Sequence, residues 1–209
     1  MSITTKSCFT LLAVALLTGC NADKLEVALK TDEIRAVGQG EETSVPFEAE
    51  FSLMSELDDQ QRAELDQIIA TVEDFMEIDD IELENSDFGI NLLVEGQMPI
   101  SSTSVPAPWY VSVTHSDIFS DLYRIELANG SEFDRFQNAL QGINFMLAPN
   151  AVQPVKFKIR GEGVVMAPGV EVDGYTYMLY AGEIDRRLTM NFSGGPWENT
   201  SGGFFLNKE

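Results

Sequence analysis

Short runs of alternating apolar and polar residues begin just beyond residue 24. Leu25, Val27 and Leu29 alternate with Glu26, Ala28 and Lys30, and Phe47, Ala49, Phe51 and Leu53 with Glu48, Glu50 and Ser52. A period of two sends one set to a buried face and the other to water, so both runs predict strands. Between them, residues 31–37 read as a helical turn or as more strand, and residues 38–42 as a turn. From Asp58 the period lengthens. Leu65, Ile68, Ile69, Val72, Phe75 and Met76 fall at helical spacing, with Asp58 as N-cap and Gln61 as its reciprocal partner.

Alternation returns at residues 80–85, and residues 89–95 read as a strand that turns at Gly96. Residues 97–108 are rich in Ser and Pro and predict a loop. Residues 109–114 and 123–127 read as strands. Ser131 then caps a second helix whose buried face is Phe133, Phe136, Leu140, Ile143 and Leu147. Val155, Phe157 and Ile159 alternate with Lys156, Lys158 and Arg160, the one basic strand. Asp173-Gly174 between alternating runs predicts a hairpin, and Leu188, Met190 and Phe192 a last strand. From Ser193 the tail holds two Ser-Gly-Gly triplets and reads as a loop pinned back by Trp197, Phe204 and Phe205. Strands that mostly follow one another, with two intervening helices, predict an α+β fold. It would be a single domain, a mostly antiparallel sheet with two amphipathic helices packed on one face.

The N-terminus carries a different signal. Cys8 to Leu17 is apolar except for Thr10 and follows Lys6. Its length suits a signal peptide and is about half of the roughly 20 residues a membrane-spanning helix needs. It ends in Leu17-Thr18-Gly19-Cys20, which resembles the lipobox of bacterial lipoproteins. The resemblance implies that residues 1–19 are a cleaved signal peptide and that residues 20–209 are the mature domain. It also implies that Cys20 carries a diacylglyceryl group on its sulfur and an acyl chain, such as palmitate, on its amine. One buried chain holds a protein only marginally, whereas two or more hold it stably. Asn21 rather than Asp after the cysteine implies the outer membrane, periplasmic face. Cys20 to Val27 and Thr31 to Arg35 also resemble uncharacterised lipoproteins of phages and prophages. That likeness implies a role at the host envelope, such as blocking a second phage, and carries over no functional residue.

Charge narrows the partners. Without Lys6 the chain has 12 basic residues against 34 acidic ones, a formal charge of −22. The usual magnitude for a small domain is about 2–8. Such a field repels nucleic acid and favours a basic envelope protein or divalent cations. Between Glu41 and Asp87 stand 17 acidic residues and one basic residue, Arg62. Within that segment Asp79, Asp80, Glu82, Glu84 and Asp87 form the candidate partner or cation surface. Their spacing does not match an EF-hand loop.

Catalytic chemistry has few parts here. His115 is the single histidine, and Cys8 and Cys20 are taken by the signal and the lipid, so no free thiol or N/S zinc site remains. There is no Gly-x-Ser-x-Gly elbow. The sequence therefore nominates no catalytic residue, no metal ligand and no cofactor. The first functional reading is an envelope lipoprotein that acts by binding, through its acidic surface. The alternatives are a carrier of an apolar ligand, which a large apolar pocket would favour, and a carboxylate-dependent hydrolase. Pro108-Trp109 and Pro196-Trp197 lie next to loops and fit a binding surface, although core plugs at strand ends are the commoner role for such pairs.

Overall fold

The computed structural model describes residues 24–53, 59–86, 89–143, 149, 154–173, 175–193 and 203–209. Cys20 with its lipobox, the Asp58 cap, Asp87, Leu147 and Trp197 lie outside the described residues. The elements in chain order are β1 (Lys24–Lys30), α1 (Thr31–Gly38), β2 (Thr43–Leu53), α2 (Asp59–Phe75), β3 (Glu77–Ser86) and β4 (Gly89–Ser101). They continue with β5 (Trp109–His115), β6 (Leu122–Asn129), α3 (Phe133–Ile143), β7 (Val155–Val172), β8 (Tyr175–Phe192) and β9 (Gly203–Asn207).

The expected α+β sheet with helices on one face is not what forms. Strand accounts for 59% of the chain, and seven strands close into a barrel, which makes the protein mostly β. The ring runs β1-β2-β4-β5-β6-β9-β7 and shuts where β1 pairs in parallel with β7, Glu26 against Lys156 through Lys30 against Arg160. β3 hangs on β4 and β8 on β7. Two features close it. β1 hydrogen-bonds a neighbour on each edge, and β9 bridges β6 and β7. Closure removes the edges of all seven strands at once.

β9 is the expected loop of the tail. Phe204, Phe205 and Leu206 are all buried, so the stretch lacks the polar alternation that marks a half-wet strand. The inner faces of the ring make the core, with Val27, Leu29, Val45, Ile100, Ile125 and Phe157 fully enclosed.

α1 follows β1 directly and settles the open reading of residues 31–37 as helix. Ile34 and Val37 go into the core. The other face holds Arg35, which donates from Nη2 to the Glu162 carbonyl at 3.0 Å and to Asn207 Oδ1 at 3.2 Å, tying α1 to β7 and β9. The start of α1 needs Gly161, at φ +117, because Thr31 stands where a Cβ would go. β7 changes partner near this point, from β1 to β9. The Asp-Gly hairpin forms as read: Val172 pairs Tyr175, and Asp173 takes φ +53.

Candidate functional site

α2 and α3 pack on each other away from α1. Phe75 meets Phe136 at 5.4 Å between ring centroids, and the Arg135 guanidinium lies 5.0 Å over the Phe75 ring. Trp109, at the start of β5, meets Phe133 and Phe136 edge-on at 5.9 and 5.3 Å. The pair roofs the inner face of β1, β2 and β4.

The roof does not close on the floor. Of the six apolar residues on the stripe of α2, Leu65 alone is buried, while Ile68, Ile69, Val72, Phe75 and Met76 stay half-buried. Beneath them lies a cavity of about 120 Å³. β2 supplies Phe47, Ala49 and Phe51 to its wall, and β4 supplies Leu92, Val94 and Met98. Leu25 of β1, Ile81 of β3 and Phe136 and Leu140 of α3 line it too, and every lining residue is apolar. A cavity of about 150 Å³ with such walls stays dry and takes up benzene, so this one has the size and chemistry for a piece of hydrocarbon.

A second cavity of about 180 Å³ adjoins it and shares Met76 and Trp109 as walls. Its lining is more polar, with Glu77 and Gln97 among the prolines of the 97–108 segment. Trp109, which lines both, also holds an unsettled donor. The Trp109 Nε1 is buried and has no hydrogen-bond partner among the described residues. A buried donor left this way costs about 1–3 kcal/mol.

Glu26, the residue after Leu25, faces the outside of the ring and is only 4% exposed, because three lysines cover it. Lys24 lies at 2.6 Å, and Lys156 and Lys158 at 2.8 Å each. Burial pushes its carboxyl up, but the charged hydrogen bonds from Lys156, Lys158 and Lys24 outweigh it and hold the pKa at about 2. Lys24 also reaches Glu48 at 3.0 Å, and with Glu26 this raises its pKa.

The acidic candidates do not converge. Asp79, Asp80, Glu82 and Glu84 all lie exposed on the edge strand β3. A bulge between Ile78 and Asp80 sets Asp79 apart, where it accepts from Gln97 Nε2 at 2.7 Å. Asp80, Glu82 and Glu84 share a face at the two-residue repeat, about 7 Å apart, too far to surround one ion. Among the described residues no three acidic, His or Cys side chains are grouped to hold a metal. His115 stacks against Tyr123 at 5.4 Å and touches neither cavity.

Sequence reasoning left Trp109 between a binding surface and, more commonly, a core plug at a strand end, and read the α2 stripe as core. The stripe gave no sign of the gap, since its spacing is the same whether the helix seats fully or stands off. The chain matches no protein-family model, no curated protein and no solved structure, so its own cavity and charges carry the functional argument.

Proposed function

We propose that this protein is a lipid-anchored envelope protein that works by binding, holding the acyl chain of an amphiphile under α2 and α3. The observation that supports it is the all-apolar cavity, one of whose walls is Trp109, a residue with a buried indole N–H that has no partner among the described residues. The tail enters the apolar cavity, and a carbonyl of the head accepts from Trp109 toward the more polar second cavity. Glu77 in that second cavity and the net charge of −21 disfavour a carboxylate head. The fitting ligand is therefore a neutral acyl ester or amide. The anchor is at the same end: Leu25 lines the cavity and Cys20 stands five residues before it, within about 18 Å at full extension.

Magnitudes set what α2 must do. Each buried methylene contributes about 0.8 kcal/mol, so the five or so that fit the cavity as it stands give about 4 kcal/mol, a millimolar dissociation constant. Micromolar binding needs about ten, and the half-buried stripe of α2 offers the extra apolar surface if the helix lifts. A series of monoacylglycerols, titrated against a displaceable fluorescent ester, tests this. Affinity should rise about fourfold per methylene up to a plateau near ten carbons, and exceed that of the free fatty acid of equal length. Non-saturable uptake, or no dependence on chain length, would remove the carrier reading.

A further inference from the structure

Seven of the 12 basic residues beyond the signal lie on three adjacent strands, β1, β7 and β8. Three of them form a row across the outer wall: Lys30 pairs in register with Arg160, and Arg160 with Arg187. Lys30 is held by Glu33 at 2.5 Å. Arg160 and Arg187 are exposed and have no ion-pair partner among the described residues. Like charges directly opposite across strands destabilise a sheet, so a fold with 34 carboxylates to spare keeps this pair at a cost. The acidic edge β3 hangs on β4, three strands from β7 one way around the ring and four the other. The three strands also carry Glu26, Glu162, Glu171, Glu183 and Asp185, so their balance is +2 against −5 on β3, and the charge is polarised across the barrel by that difference.

Where the chain enters gives the direction. β1 begins four residues after Cys20, within about 14 Å of it even when fully extended. The hairpin that carries Arg160 and Arg187 also exposes Tyr175 at 73%, Tyr177 at 57% and Leu179 at 51%. Tyrosines of this kind, apolar body and polar tip, favour a membrane–water interface. We infer that the outer wall of β1, β7 and β8 is a docking surface for an anionic phospholipid leaflet, held against it by the lipid on Cys20. The inference rests on the anchor proposed above. Free in solution the domain would be repelled by such a leaflet. Tethered, it turns its acidic edge away and its basic wall down, as attraction within a screening length of about 8 Å allows.

The test uses the full chain, processed in cells and purified with its lipid. Tyr177→Cys supplies a thiol for an environment-sensitive fluorophore, and the protein is reconstituted on phosphatidylcholine vesicles with or without phosphatidylglycerol. The expected result is a blue shift on the anionic vesicles alone. It should vanish at about 1 M salt, where screening shortens to about 3 Å, and in Arg160→Glu/Arg187→Glu, while every sample still floats with vesicles. Equal emission on both vesicle types, or a double variant that still shifts, overturns the docking surface. A shift seen only after envelope extract is added assigns the wall to a protein and overturns it too. A wild-type chain that fails to float removes the anchor, and the docking surface with it.

Discussion

Ala49→Phe is expected to abolish capture of the acyl ester and leave the fold standing. Ala49 lies on the inner face of β2, 5% exposed, in the wall of the apolar cavity. A phenyl ring there occupies the space the tail would take, because the cavity of about 120 Å³ is close to the size that accepts benzene. The fit decides the stability cost. A ring that fills the void is nearly neutral, and one that presses on Phe47 or Leu92 costs about 1–3 kcal/mol. Ester affinity should fall more than tenfold in titration while cooperative unfolding persists. Ile69→Ala gives the opposite arm. It widens the roof from α2, so the same titration should show binding kept and the chain-length plateau moved to longer tails. Ala49→Phe that binds as well as wild type would mean that the ligand sits elsewhere.

Glu26→Gln is expected to cost the largest share of stability of any single polar change, and to flatten the response to acid. The native carboxyl titrates at about 2 against an ordinary 4.5. Its contribution is thus fully present above about pH 5 and is lost as pH falls through about 2. A shift of that size corresponds to about 3.4 kcal/mol. The lysines that cause it are 35% to 46% exposed, and water screens them, which reduces the figure to about 2 kcal/mol. Gln keeps the shape but leaves three ammonium groups around a neutral amide. Denaturant unfolding of wild type and variant from pH 7 to pH 2 isolates the effect, since relief of the overall carboxylate repulsion is common to both. The gap should be about 2 kcal/mol at pH 7 and close toward pH 2. A constant gap would show that lost packing, and not the ion cluster, carries the cost.

Local pattern told more than long-range pairing could. The alternation of β1 and β2, the stripe of α2, the Phe133–Phe136–Leu140 face of α3 and the Asp173 turn all stand where period and turn chemistry put them. Closure of the ring was not legible, because nothing in Leu25 to Leu29 states that Phe157 and Ile159 will lie alongside. Pro99 and its neighbours suggested loop, yet β4 runs on to Ser101 with Pro99 opposite Ser44. Pro removes one donor without bending the strand out of place. Phe204 and Phe205 looked like pins of a loop-like tail because a strand buried on both faces has no period to read. For the site, residue type was visible and distance was not. Asp80, Glu82 and Glu84 make a conspicuous sequence feature and a dispersed surface, whereas the cavity is built from residues any core would use.

The most direct measurement is the position of the ligand. A monoacylglycerol with a diazirine near the end of its tail, photolysed on the purified protein and mapped by mass spectrometry, reports the residues that touch the hydrocarbon. Adducts are expected on Leu65, Ile69 and Val72 of α2 and on Leu140 of α3, competed by unlabelled ester and absent in Ala49→Phe. Adducts gathered instead on the exposed Tyr175 to Leu179 stretch of β8, or scattered and not competed, would contradict acyl binding under α2 and α3.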